Sequence, residues 1–126
     1  MHALQVIEQG FRTTTEEQDD AILWLTQSMR GAGGELSVLL TGHASAYAQQ
    51  ASPQPVLVLG EWRQTAPADI SRDLDRLQQA GVPIYVVEED LEERGLVGSS
   101  LHPAVERIRR DRVHSLYEQA DQVWQW

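Results

Sequence analysis

The sequence contains no cysteine among its 126 residues. Disulfides, thiolate metal sites, cysteine nucleophiles and persulfide carriage are therefore excluded. The length suits one domain, and a domain of this size buries roughly two thirds of the surface that its unfolded chain exposes. We therefore expect residues 1–126 to form a single domain that is held together by an ordinary hydrophobic core without disulfides.

Lysine is absent as well, so all ten basic side chains are arginines, and the formal net charge is −9. Nucleic-acid affinity depends mainly on cationic side chains that displace counterions from phosphates. This composition therefore argues against a nucleic-acid partner. Four arginines cluster late in the chain, at Arg107, Arg109, Arg110 and Arg112, but twelve acidic residues lie in the same half, at positions 69–121. We interpret the cluster as the solvent-exposed face of a helix.

Long apolar runs are also missing. No run approaches the roughly twenty residues that a membrane-spanning helix needs. The first residues do not combine a basic region, an apolar stretch and a small-residue cleavage site, as a secretory signal does. The sequence thus predicts no membrane association and a cytoplasmic location. The 4 histidines are scattered and lack the spacing of a zinc site, so neither a metal nor a cofactor is predicted.

What the sequence does contain is an alternation of strand and helix patterns. Apolar runs predict strands at residues 2–8, 35–40, 56–59 and 82–87, and a period-two pattern predicts a last strand at 121–126. Helices are predicted from a capping box at 14–17 or 15–18 to about residue 30, at 43–50, at 67–80 and, as one helix or two, at 104–120. This order predicts a three-layer α/β domain whose mainly parallel, five-stranded sheet carries helices on both faces.

Two tryptophans fall outside the predicted core. The first helix carries an apolar stripe at helical spacing, namely Ala21, Ile22, Leu25 and Met29. Trp24 lies away from that stripe, so it is either a surface ring or part of a subunit contact. Trp62 lies in a segment without a clear structural pattern. Because tryptophan is enriched at the centres of protein interfaces, Trp24 and Trp62 form the candidate subunit interface.

The candidate ligand pocket consists of residues that follow the predicted strands. In parallel α/β sheets, ligands bind outside the carboxyl ends of the strands. Arg12 follows the first strand, His43 follows the second, and Glu88 and Asp90 follow the fourth. Each of them has an alternative role. Arg12 either binds an anion or pairs with the acids that start the first helix, and His43 is either a site residue or a capping or surface residue.

The acidic run at residues 88–93 also allows two interpretations. It provides paired carboxylates for acid–base chemistry, or oxygen ligands for Mg²⁺ or Ca²⁺. Alternatively, its acids begin a short helix, where they complement the helix dipole and accept hydrogen bonds from unpaired amides. The second interpretation is the simpler one, because the run directly precedes a predicted helix.

Three segments of the sequence stand out together, namely "GAGGELSVLLTGHASAYA", "LDRLQQAGVPIYVVEEDLEERGL" and the closing "LYEQADQVWQW". In their order and spacing they resemble the DsrE/DsrF/DsrH and TusBCD sulfur-relay family. The resemblance implies a flavodoxin-like, DsrE-like protomer that forms trimers, hexamers or other homo- or hetero-oligomers. It also implies a role in passing sulfane sulfur as a cysteine persulfide, in sulfur oxidation or in tRNA thiolation.

The resemblance also shows where this chain departs from the family. Many relatives carry Cys-x-x-Cys-Leu-x-x-Arg-Gly after the fourth strand. Here Leu91, Arg94 and Gly95 match that pattern, whereas Val87 and Asp90 stand in place of the two cysteines. An aspartate at this point is similar to the DsrH/TusB branch, but a cysteine elsewhere is expected there and none is present. A carboxylate cannot carry sulfane sulfur, which needs a thiolate that forms and breaks a sulfur–sulfur bond.

Two functional hypotheses follow. The first is a non-catalytic DsrE-like protein that acts as a partner or regulatory subunit in sulfur relay or sulfur oxidation, in a homo-oligomer or with DsrE-like or other sulfur-relay proteins. The second is a small-molecule or anion-binding domain, or an enzyme of another class, that uses the strand-end residues. Cysteine-dependent sulfurtransferase activity is excluded under both hypotheses.

Overall fold

A five-stranded, all-parallel sheet in the order β6-β5-β2-β1-β7 forms the centre of the protein. The computed structural model describes residues 1–11, 20–50 and 55–126. Its main-sheet strands are β1 (His2–Ile7), β2 (Glu35–Leu40), β5 (Ile84–Val87), β6 (Val105–Ile108) and β7 (Gln122–Gln125). Two further short strands, β3 (Val58–Leu59) and β4 (Trp62–Arg63), form a separate antiparallel hairpin.

Helices cover both faces of the sheet, as the sequence predicts. They are α1 (Ala21–Gly31), α2 (Ile70–Gln79), α3 (Glu88–Glu93) and α4 (Val113–Gln119), with 3-10 helices at Gly42–Ala48 and Arg110–Arg112. Side chains of α1, α2 and the first 3-10 helix pack on Val38 and Leu40 of β2. On the other face, Leu116 of α4 packs against Leu39. The alternation of β2 between the two clusters is the period-two pattern of a strand that is buried on both sides.

The sheet contains one strand that the sequence pattern assigned to a helix, and it lacks one predicted strand. Residues 56–59 form no part of the main sheet, because Val58–Leu59 turns back at Gly60, whose φ is 61°, and pairs with Trp62–Arg63. Residues 105–108 form β6 beside β5 instead of a helix. The apolar pair Val105 and Ile108 suits either structure locally, and pairing with β5 decides between them.

Helix α1 has a different buried face from the predicted stripe. Leu23 and Thr26 are its buried residues, whereas Ala21 is exposed and Ile22, Leu25 and Met29 are only half-buried. Thr26 tolerates burial because its hydroxyl donates to the Ile22 carbonyl at 2.8 Å. Asp20 caps the start of the helix, and its Oδ1 accepts from the amides of Ile22 and Leu23. The predicted capping boxes at 14–18 lie outside the described residues.

Several predicted elements are confirmed closely. Strand β2 has the predicted bounds, and α2 buries Ile70, Leu74 and Leu77 as its i, i+4, i+7 spacing predicts. The acidic run forms the short helix α3, which confirms that it begins a helix. Within the described part of the chain, no helix is both long and apolar enough to cross a membrane.

Candidate functional site at the carboxyl ends of the strands

The acidic run and the arginine cluster meet at the ends of two neighbouring strands. Val87 at the end of β5 pairs with Ile108 at the end of β6, so the residues after both strands lie side by side. Glu88 Oε2 lies 3.4 Å from Arg109 Nη1, and both carboxylate oxygens of Glu89 accept from the Arg110 amide, at 3.1 and 3.0 Å. The two runs therefore neutralise each other across the strand ends.

This arrangement corrects the interpretation of the arginine cluster as a helix face. Arg107 belongs to β6, and Arg110 and Arg112 belong to the 3-10 helix that follows it. Arg107 and Arg109 both approach Glu88, at 3.9 and 3.4 Å. These pairs are partly exposed, so each contributes little to stability by itself. Their effect is to join two loops that come from different parts of the chain.

The surroundings of Glu89 lower its pKa from the ordinary value of 4.5. Desolvation is the largest single effect and raises the pKa, but the hydrogen bonds from the Arg110 amide and from the amide of Glu89 itself lower it. The charges of Arg109 and Arg110 lower the pKa further. The ionised form of Glu89 is thus favoured in the folded protein.

Asp90 connects three segments. Its Oδ2 accepts from the Gly42 amide at 2.9 Å, and its Oδ1 accepts from Nη2 of Arg110. Its main-chain carbonyl accepts from Nη1 of Arg94 at 3.2 Å. The side chain is only 10% exposed. Asp90 therefore holds the residues after β2, β5 and β6 in one arrangement, and both of its carboxylate oxygens have partners.

Two cavities open beside these strand ends. The larger has a volume of about 850 Å³, and the residues after β1 and β2 and at the end of α3 line it. The smaller, of about 440 Å³, lies towards α4 and includes Asp90, Arg110 and Tyr117 in its lining. Arg94 lines both cavities.

The structure separates the residues of the predicted pocket. His43 lines the larger cavity and Asp90 the smaller one, whereas Glu88 lines neither of these two and pairs with arginines. Arg12 lies outside the described residues. Arg94 is a lining residue that was not predicted from the sequence; its place next to the acidic run after a strand was the available signal.

Trp24 and Trp62 are both on the surface. Trp24 is 54% exposed on α1, and Trp62 is 37% exposed on the hairpin β3–β4. The same hairpin region exposes Val56, Leu57, Val58 and Leu59. An isolated two-stranded hairpin is marginally stable in water, and a contiguous apolar surface is typical of an interaction site.

The pair His102–Asp75 resembles part of a catalytic site, but both ring nitrogens of His102 are engaged in hydrogen bonds within the fold. His102 is buried, and its Nε2 lies 2.7 Å from Asp75 Oδ1. Its Nδ1 accepts from the Ala104 amide at 3.0 Å, so Nε2 carries the proton and donates to Asp75. Neither nitrogen is available as a base. No group of three or more metal-ligating side chains occurs within residues 1–11, 20–50 and 55–126.

Comparison with known proteins supports the fold and goes no further. No model of a known protein family matches the sequence, and no curated protein matches it. The structure is similar to the crystal structure of the YchN protein from E. coli, with a TM-score of 0.72 and 17% sequence identity over 100% of both chains. At this identity the likeness shows the fold, which is a flavodoxin-like, DsrE-like α/β domain.

Proposed function

We propose that this chain is a non-catalytic DsrE-like subunit that has lost persulfide transfer and acts as a partner or regulatory subunit of sulfur-relay or sulfur-oxidation proteins. The observation that carries the proposal is the environment of Val87 and Asp90, the two positions where the family resemblance implies cysteine. Val87 is 2% exposed and packs in the core, and both oxygens of Asp90 are engaged by Gly42 and Arg110.

The chemistry at these positions supports a structural role. A persulfide carrier needs an accessible thiolate that attacks and leaves a sulfur atom. Neither a buried valine nor a carboxylate held by two donors provides one. Asp90 instead links the loops after three strands, so a position where many relatives carry a cysteine stabilises the strand ends here.

The exposed hairpin supports a role in assembly. Val58 and Leu59 are 55% and 60% exposed, and Trp62 projects from the same two-stranded unit. Burying such side chains against a partner contributes roughly 25 cal/mol per Å² of apolar surface, before the costs of association. We propose that this hairpin, with Trp24 on α1, contacts a second copy or a cysteine-bearing DsrE-like protein.

The assembly is tested by light scattering on the purified chain, alone and mixed with a cysteine-bearing DsrE-like protein. Trp62→Ala and Trp24→Ala should lower the mass of the assembly. Trp124→Ala is the matched control, because Trp124 is also exposed, at 40%, but belongs to β7 and not to the hairpin or to α1. An unchanged mass for both interface variants, or a loss only with Trp124→Ala, would contradict the proposed interface.

The loss of sulfur chemistry is tested with inorganic polysulfide as the donor. The purified chain should retain no cyanide-reactive sulfur after desalting. Ser100→Cys places a thiol at an exposed position and should become labelled, which shows that the assay works. Stable sulfane sulfur on the cysteine-free chain would refute this part of the proposal.

A further inference from the structure

Phe11 has an unusual backbone conformation at the rim of the larger cavity. Its φ is 61°, and it is the only residue other than glycine with a positive φ in the described part of the chain. The left-handed region is unfavourable for a bulky aromatic residue. Even so, Phe11 is 42% exposed. The strain therefore does not serve to bury the ring; it presents an aromatic surface at the cavity.

A buried network holds Phe11 in this conformation. Its amide donates to the Tyr47 hydroxyl at 2.5 Å, and its ring meets the Tyr47 ring edge-on, with centroids 4.9 Å apart at 85°. The Tyr47 hydroxyl in turn donates to Asp20 Oδ2 at 2.6 Å. Gly10 lies so close to the 3-10 helix that an added Cβ would be 3.2 Å from the Cα of Ala44. This wall of the cavity is thus preorganised.

A different element supplies polar groups to the same cavity. Arg94, at the end of α3, uses Nη1 to contact the Asp90 carbonyl and the Glu93 carboxylate, at 3.2 and 3.7 Å. Its Nε and Nη2 make no hydrogen bond within the described residues, and together they form the edge that binds a carboxylate in bidentate fashion. His43, also in the lining, makes no side-chain hydrogen bond within the described residues.

We propose that the larger cavity is a binding site for a planar aromatic monocarboxylate. The aromatic part packs on Phe11, and the carboxylate pairs with the Nε–Nη2 edge of Arg94, while His43 donates to or accepts from a polar substituent. Glu93 also lines the cavity, and its charge disfavours ligands with more than one negative group. The volume of about 850 Å³ lies within the range of small-molecule sites. This inference is independent of the assembly proposed above.

The probe is 2-naphthoate, whose binding to the full chain is followed by fluorescence anisotropy and confirmed by calorimetry. Saturable binding is expected, with an affinity at least about tenfold lower for Arg94→Gln, since an ion-paired hydrogen bond is lost. Phe11→Ala should also weaken binding, because it removes the aromatic surface that packs on the ligand. Arg112→Gln is the charge-matched control on an exposed side chain outside both cavities and should leave binding unchanged.

Two related compounds test the ligand class. Naphthalen-2-ylmethylamine places a cation where the carboxylate would lie, and inorganic phosphate lacks the ring, so both should bind much more weakly than 2-naphthoate. Stronger binding of either compound would overturn the proposal, as would 2-naphthoate binding that Arg94→Gln leaves unchanged, or no binding at all. Urea unfolding of each variant separates a folding defect from a binding defect, and Arg94→Lys should then retain part of the affinity that Arg94→Gln loses.

Discussion

Replacing Asp90 with alanine should lower the free energy of unfolding by about 2–3 kcal/mol. The variant removes the acceptor of the Gly42 amide and the partner of Arg110. A hydrogen bond to a charged group contributes about 1.5–3 kcal/mol. The Arg110 side chain is 53% exposed, so this ion pair adds at most about 1 kcal/mol, because water and salt screen it.

Two variants separate these contributions. Arg110→Ala removes the ion pair and leaves the hydrogen bond from the Gly42 amide. It should therefore lower the free energy of unfolding by about 1 kcal/mol or less. Asp90→Asn keeps an oxygen that can accept from Gly42 but loses the charge, so its cost should lie between those of Arg110→Ala and Asp90→Ala. Together the three variants show whether Asp90 stabilises the protein mainly through the loop after β2 or through its partner after β6.

Equilibrium unfolding in urea, followed by circular dichroism, measures these differences. With a denaturant slope of about 2 kcal/mol per M, Asp90→Ala should lower the urea midpoint by about 1 M or more. Glu92→Ala is the control in the same helix, because Glu92 is exposed and should change stability by less than about 0.5 kcal/mol. If Asp90→Ala and Glu92→Ala had equal midpoints, the structural role of Asp90 would be refuted.

Three further predictions concern the same end of the sheet. Tyr47→Phe removes a hydroxyl that donates to the buried Asp20 carboxylate at 2.6 Å. It should lower the free energy of unfolding by about 1.5–3 kcal/mol, and a urea midpoint equal to that of the wild type would contradict this. Gly42→Ala should lower the free energy of unfolding more than Gly60→Ala does, although both φ angles are positive. Only at Gly42 would the new Cβ meet Glu8, whose Cγ would be 3.0 Å away. Equal losses of unfolding free energy in urea would show that this close approach is unimportant. The ionised form of Glu89 stabilises the fold above its ordinary pKa of 4.5, and this contribution is lost as pH falls through the lowered pKa of the folded state. Stability measured against pH should therefore fall less steeply below pH 4.5 in Glu89→Gln, and identical pH profiles would argue against the effect.

The fold was largely predictable from local patterns. Strands β1, β2, β5 and β7 follow apolar or alternating runs, and α2 follows its heptad-like spacing. The errors concern segments with little local preference. Residues 56–59 form an apolar run but lie on an exposed hairpin, whereas residues 105–108 carry two charges and still form the edge strand β6. Pairing partners, which are distant in sequence, decide such segments.

The candidate site was less predictable than the fold. Placing His43 and Asp90 after parallel strands was correct, but the pattern did not show that they line different cavities. The strain at Phe11 had no local signal, because it depends on Tyr47, 36 residues away in the chain. The position of Arg94 directly after the acidic run was a local signal for its place in the lining. The pairing of the acidic run with the arginine cluster likewise follows only from the adjacency of β5 and β6.

By itself, the sequence determined that this protein carries no thiol chemistry, since a residue type that is absent cannot be supplied by folding. It also determined the α/β class, because the periodicity of apolar residues records which faces are buried. The tertiary structure alone decided which groups Asp90 contacts. The order of the strands brings Gly42 and Arg110 to Asp90 from segments 48 and 20 residues away, and no local pattern contains that information.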